Sequence, residues 1–149
     1  MAFDTAAGAS ISFVADAPAT FDDTGYAALT YSAAAEVTNI GEFGREYALV
    51  THSPLASRGI KKSKGSYNNG QISPTMAFDG DDAGQGVLET AETSDDPISV
   101  KVELDDGRIF YFQALVMTLK RVVGENDSIV MLNATMEITE NDIVEVDPV

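Results

Sequence analysis

The stretch ISVKVELDDGRIFYFQALVMTLKRVV, residues 98–123, decides the fold class. Every second side chain of residues 98–104 is apolar, the period-2 pattern of a half-buried strand. The Asp-Asp-Gly sequence at 105–107 then supplies a turn. The centre of the next run, 109–117, is apolar on both faces except for one glutamine and one alanine. Because a strand covered on both sides has this composition, the stretch predicts two strands of a largely buried sheet.

The flanking sequence extends this pattern. Residues 130–138 alternate in the same way, and a short strand is expected at 143–146 before a proline. Residues 81–93 predict a helix, because aspartates at its start suit the N-cap and Gly84, Val87, Leu88 and Ala91 share one stripe. Many strands and one helix indicate a mainly β protein, a β-sandwich or barrel with one flanking α-helix.

Three other segments carry weaker patterns. Residues 1–35 hold 12 of the 19 alanines and, apart from a short strand at 11–15, are expected to be partly arm-like or loop-like. Residues 44–58 show no sustained period and contain a proline, so we expect a long inter-strand loop. Residues 59–67 and 71–78 flank an Asn-Gly pair and predict a β-hairpin at the edge of a sheet. The length suits a single domain over residues 1–149.

Composition excludes several classes of function. The chain has 149 residues, no cysteine and one histidine, His52, so thiol chemistry and cysteine-ligated metals are excluded. No apolar run approaches the roughly 18 residues of a membrane helix, and the N-terminus lacks the pattern of a secretory signal. The net charge is −15, yet residues 45–78 carry five bases and one acid. So acidic a chain should repel DNA over most of its surface.

No residue pattern supports catalysis, a cofactor or a metal. A calcium loop starting at Asp79 fails where Ala83 and Thr90 replace ligands, so an acid-capped helix is the better interpretation. His52 lacks the partners of a hydrolytic triad. The basic cluster is too small for a convincing nucleic-acid site. It fits edge protection or pairing with an acidic surface of another subunit, and its members are Arg58, Lys61, Lys62 and Lys64.

Several stretches, taken in order, resemble the tail tube (major tail) proteins of long, non-contractile-tailed bacteriophages, the siphophage type. They are EVTNIGEFG (36–44), VTHSPLASRGIKKSKGSYNNGQIS (50–73), DAGQGVLETA (82–91), VELDDGRIFYFQALVMTLKRVVGENDSI (102–129) and DIVEV (142–146). The resemblance implies a tail-tube-like β-sandwich or barrel flanked by one helix. It also implies subunits that close into hexameric rings, stacked around a tape-measure protein into a tube for genomic DNA. The implied location is the virion tail, assembled in the host cytoplasm.

The resemblance and the residue patterns together give expected contact residues. Residues 44–58 should connect one ring to the next, and their expected contact side chains are Arg45, Tyr47, Leu49, Val50 and Leu55. The basic cluster defined above should make charge contacts between subunits. The acidic balance suits a negatively lined channel that does not hold DNA. The alternatives are a stand-alone acidic β-sandwich binding module and a tube protein like that of type VI secretion.

Overall fold

The computed structural model describes residues 5–148, which contain eleven strands and two helices. In chain order the elements are β1 (Ser10–Val14), α1 (Asp23–Ala27), β2 (Ser32–Ala33), β3 (Val37–Asn39), β4 (Glu46–His52), β5 (Lys61–Asn68), β6 (Gln71–Ile72), β7 (Thr75–Ala77), α2 (Ala83–Glu92), β8 (Ile98–Glu103), β9 (Ile109–Val122), β10 (Met131–Ile138) and β11 (Val144–Val146). The predicted mainly β class with a flanking helix is confirmed.

Nine of these strands form one antiparallel sheet. Its main path runs β2-β1-β8-β9-β10-β7-β3, with β11 beside the start of β9 and β6 beside β10. The predicted pair of strands within residues 98–123 is β8 and β9, in a register that places Val100 opposite Phe112. Gly107 closes their turn with a φ of 97°, a conformation that glycine adopts without steric cost.

One hydrophobic core is shared by strands from both ends of the sheet. Phe13 of β1 and Met76 of β7 are both fully buried in it, although these strands lie far apart along the path. The sheet therefore curves back on itself in the manner of a barrel. On β10 the predicted alternation is confirmed, since the buried side chains are Leu132, Ala134, Met136 and Ile138.

Helix α2 packs its predicted stripe against this core. Leu88 is fully buried, and Val87 packs at the edge of the core. Asp82 caps the helix: its carboxylate accepts hydrogen bonds from the backbone N–H of Gln85 at 3.1 Å and of Ala35 at 3.0 Å. The acidic loop thus begins a helix, as expected, and also ties it to the segment after β2.

Residues 1–35 combine a short strand, close to the one expected at 11–15, with a one-turn helix and irregular segments, and residues 1–4 lie outside the described residues. β1 pairs with β8 over its whole length, and Ile11 and Phe13 are fully buried. The one-turn helix α1 buries Tyr26, whose ring stacks on Tyr111 at 5.4 Å. The segment thus covers Tyr111 on the second face of β9 with the rings of Tyr26 and Tyr31, and Ser99 of β8 donates a hydrogen bond to the Asp16 carbonyl at 2.8 Å.

Tyr26→Phe is expected to change the pH dependence of stability. Burial raises the pKa of Tyr26 from 10 to about 12, and its hydroxyl has no hydrogen-bond partner among the described residues. Because the folded pKa is raised, ionisation of Tyr26 opposes folding, so stability is fully present below pH 10 and is lost as the pH rises towards about 12. At pH 7 the variant should match or exceed the wild type in free energy of unfolding, since it loses only an unpaired polar atom.

Denaturant titrations at pH 7 and between pH 10 and 12 measure this effect. The loss of stability over the alkaline range should be smaller in Tyr26→Phe than in the wild type. Tyr47→Phe is the matched control, because it makes the same substitution at a tyrosine that is 41% exposed. Identical profiles for Tyr26→Phe and the wild type would contradict the prediction.

The hairpin predicted from residues 59–67 and 71–78 is wrong. β5 pairs with β4 in a separate two-stranded sheet, whereas β6 and β7 join β10 in the main sheet. Consequently residues 46–52 of the predicted long loop at 44–58 form a strand. The side chain of Asn69 donates to the carbonyls of Thr139 and Asn141 at 2.8 and 3.2 Å. The Asn-Gly pair therefore anchors the chain to the main sheet instead of turning a hairpin.

Candidate assembly surface

The two-stranded sheet of β4 and β5 stands out from the rest of the molecule. We call residues 45–68 the hairpin arm. Every residue of β4 is exposed, and on β5 only Gly65 is partly covered. The two strands contact each other closely, and neither contacts another strand or helix to a comparable extent. The arm is therefore a preformed projection that contributes nothing to the hydrophobic core.

The arm exposes apolar side chains that a solvated hairpin does not need. Leu49, Val50 and Ile60 are 66%, 51% and 57% exposed, and Leu55 at the tip is fully exposed. The tip is shaped by a turn in which the Ser57 N–H donates to the Pro54 carbonyl at 3.3 Å. Several large apolar side chains exposed on one projection favour an interaction site.

Charge distinguishes the arm from the body. The arm carries five bases and Glu46, a net charge of +4, so the rest of the chain carries −19. Among the described residues no acid forms an ion pair with Arg58, Lys61 or Lys62. Their charges are thus available to an acidic partner.

A cluster at the base of the arm sets its direction. Arg45 forms an ion pair with Asp142 at 2.9 Å and lies 4.0 Å over the ring of Tyr67. Tyr67 donates a hydrogen bond to the same carboxylate at 3.0 Å, and this bond, together with the carboxylate charge, raises the pKa of the Tyr67 hydroxyl. On the neighbouring ring, the Lys64 ammonium lies 4.5 Å from the centre of Tyr47. Exposed ion pairs add little to the free energy of unfolding, so we infer that this cluster orients the arm relative to the body.

A second candidate surface is the open edge of β9. β8 pairs with β9 only over residues 109–114, so residues 115–122 have a described strand partner only on the β10 side. At Met117 the register with β10 shifts by one residue, a β-bulge whose side chain is 59% exposed. Unpaired strand edges present backbone N–H and C=O groups that another chain can pair with.

Solved phage-tail structures share this architecture over almost the whole chain. A chain of the anti-feeding prophage baseplate, 6-fold symmetrised, aligns with a TM-score of 0.71 at 9% identity, covering 98% of this chain and 97% of that one. A chain of the tail of an empty gene transfer agent particle, refined with C6 symmetry, gives 0.66 at 12% identity over 93% and 95%. The SPP1 tail tube gives 0.62 at 15% identity over 95% and 77%.

The chain has the fold of phage tail tube proteins. No protein-family model matches its sequence, and no curated protein does. At identities of 9–15% the likeness establishes the tail-tube fold and leaves function to the surfaces of this chain.

On this tail-tube fold, the two groups of residues predicted as contact residues come together. Arg45, Tyr47, Leu49, Val50 and Leu55 lie on the same hairpin arm as Arg58, Lys61, Lys62 and Lys64. In the register of the arm, His52 faces Lys61 and Thr51 faces Lys62. One projection therefore carries both the apolar and the cationic groups.

Sequence reasoning missed three contributors to the arm and its base. Tyr67 and Ile60 lie on or beside β5, and Asp142 follows β10, far away in the sequence. The sequence signal for the cluster at the foot of the arm is the pair Tyr47 and Tyr67, which flank the basic segment.

In residues 5–148, no group of three or more histidine, aspartate or glutamate side chains is arranged to hold a metal ion. No described helix has the length and apolar character needed to cross a membrane.

Proposed function

We propose that this protein is the tail tube subunit of a siphophage-type virion. It self-assembles into hexameric rings that stack into a tube, and the tube conducts genomic DNA into the host. The observation that carries the proposal is the hairpin arm: a cationic, apolar and preformed projection on a strongly acidic body with the tail-tube fold. An isolated monomer has no use for such a projection, whereas a subunit that binds copies of itself does.

Ring closure is assigned to the open edge of β9. A closed ring gives every subunit the same neighbour on each side, so the unpaired backbone of residues 115–122 can be satisfied in every copy at once. Six copies agree with the symmetry of the solved structures that share the fold, one 6-fold symmetrised and one refined with C6 symmetry.

Stacking is assigned to the hairpin arm. The sequence predicts a long loop at 44–58, but β4 and β5 are already paired in the single chain. Docking the arm therefore does not require ordering a long loop, a process that would cost about 1–2 kcal/mol for each residue. The preformed arm lowers the free-energy cost of joining rings and makes assembly depend on the side chains at its surface.

The remaining parts of the proposal follow from charge and location. With −15 per subunit, a ring should present a negatively lined channel to DNA in transit, without specific binding. The tube would enclose a tape-measure protein and join other tail proteins, with assembly in the bacterial cytoplasm. We assign no enzymatic activity, cofactor or membrane partner. Electron microscopy of the concentrated purified protein tests the proposal: tubes of uniform bore with six-fold symmetry support it, and persistent monomers contradict it.

Reversing two charges on the arm should slow tube growth. In Lys61→Glu/Lys62→Glu the arm loses its attraction for the acidic body of another copy, so the rate of polymerisation should fall by about tenfold or more at low ionic strength. The difference from the wild type should shrink as salt screens the charges. Light scattering at several salt concentrations measures the polymerisation rates of the variant and of the wild type.

The matched control is Lys61→Arg/Lys62→Arg, which keeps the charges and should polymerise like the wild type. Equal rates for the glutamate variant and the wild type at every ionic strength would leave these lysines as protection for a strand edge.

A further inference from the structure

The subunit has two opposite ends, and the hairpin arm occupies one of them. β7 runs antiparallel to β10 and β3 antiparallel to β7, so β3 leads towards the C-terminal end of β10. The chain continues past that end into β4 and returns through β5 to β6, which pairs with Met136 and Glu137 of β10. The arm is thus a continuation of the β3–β7 ribbon beyond the end of the sheet.

The other end of β10 is formed by the turn that connects it to β9. β10 has eight residues, and at about 3.3 Å per residue the turn lies about 26 Å from the base of the arm. We call residues 122–130 the distal turn. The Phe78 N–H donates to the Val130 carbonyl at 2.8 Å, which brings the acidic loop before α2 alongside the turn.

The distal turn complements the arm in both apolar surface and charge. Its Val122, Val123 and Ile129 are 47%, 76% and 72% exposed. Four acids lie in the turn or in the neighbouring loop before α2, and none has a base as ion-pair partner in the described part of the chain: Asp79, Asp81, Glu125 and Asp127. Two cations precede the turn on β9: Arg121 is already paired with Glu89 at 2.8 Å, and Lys120 is exposed.

We infer that the distal turn of one copy is the docking surface for the hairpin arm of the next copy. Leu55 and Ile60 of the arm would pack on Val123 and Ile129, while the three unpaired cations of the arm approach the four acids. The partner is a second copy of this chain, because both complementary surfaces belong to it and point in opposite directions. This inference rests on the proposed function and names the receiving surface that the proposal leaves open.

The contact is head-to-tail, so it does not close on two copies. An interface between two different surfaces repeats along an axis and gives an open filament, as a tube requires. Each single contact is small. If rings form, several contacts act together between neighbouring rings, and multivalency makes the stack far more stable than one contact alone.

Because the chain contains no cysteine, a disulfide between introduced cysteines can test this contact. Leu55→Cys/Val123→Cys places one cysteine on each exposed surface. A disulfide needs Cα atoms within about 7 Å, so within one copy the two sites, at opposite ends of the molecule, cannot join. Mild oxidation of the assembled protein should therefore give a ladder of covalent trimers and larger species on a non-reducing gel.

The single variants Leu55→Cys and Val123→Cys should stop at dimers. The matched control Leu55→Cys/Glu140→Cys moves the second cysteine to an exposed position at the arm's own end, and it should give no ladder beyond dimers. Charge reversal provides a second measurement with no cysteine. Glu125→Lys/Asp127→Lys should impair polymerisation, and adding Lys61→Glu/Lys62→Glu to it should restore polymerisation.

The outcomes separate this inference from the function on which it rests. Tubes in the microscope together with a ladder support both. Tubes without a ladder and without charge rescue contradict the distal turn as the docking surface and leave the tube function standing. A ladder without tubes supports the head-to-tail contact and contradicts ring stacking. Neither tubes nor ladder contradicts both.

Discussion

Replacing residues 46–67 with two glycines is expected to give a folded monomer that no longer polymerises. None of the described core residues lies in the hairpin arm, so removing it takes no buried side chain from the body. The chain can be closed with little strain, because Gly44 and Gly70 approach each other so closely that a Cβ on Gly70 would lie 2.5 Å from the Gly44 carbonyl oxygen. The critical concentration for tubes, measured by sedimentation, should rise beyond the accessible range.

Thermal unfolding of the same variant separates an assembly role from a structural one. If the arm serves assembly, the melting temperature of the monomer should stay within a few degrees of the wild type. Leu55→Ser/Ile60→Ser is the matched control for the apolar part, since it keeps the strands and the charges and should weaken polymerisation less than the deletion. A large fall in melting temperature would show that the arm stabilises its own subunit, and polymerisation of the deletion variant would contradict the stacking role.

The largest effect on stability is expected from Phe13→Ala. Phe13 is fully buried, lies opposite Val100 in the sheet and belongs to the main core. Truncating such a side chain removes its burial and leaves a cavity, which together cost about 3–5 kcal/mol. For a chain of this size the melting temperature should fall by roughly 10 °C. Urea titration and calorimetry measure the loss.

Phe21→Ala is the control for Phe13→Ala. Phe21 is 48% exposed and meets Tyr26 only edge-on at 6.3 Å, so its removal should cost less than about 1 kcal/mol. Equal stability of the two variants would contradict the burial of Phe13 in the main core.

The parts of the fold that sequence could predict are those in which one face is buried. On β8 and β10 the alternation of apolar and polar side chains follows directly from one covered face, and on α2 the apolar stripe and Asp82 mark the packed face and the N-terminus. The long apolar run of β9 was also informative, since the Tyr26 ring stacks on Tyr111 of its second face.

The hairpin arm escaped prediction for the opposite physical reason. Neither face of β4 is buried in the single chain, so no alternation of apolar and polar residues is required there. The Asn-Gly sequence gave a misleading turn signal, because the buried side chain of Asn69 bonds to backbone carbonyls after β10 and Gly70 adopts a φ of 94° at that anchor. The strand expected at 11–15 corresponds to β1, whose Ile11 and Phe13 are fully buried.

The bulge at Met117 has a consequence for the fate of the subunit before assembly. An open, regular strand edge can pair with almost any other extended chain, which is how soluble proteins begin to aggregate into cross-β material. The bulge breaks the regular spacing of the free backbone groups on β9. The exposed Lys120 adds a charge that any incoming strand must accommodate. Together they restrict pairing to a neighbour with a matching irregularity. Free copies can therefore accumulate while the edge stays selective for its own kind.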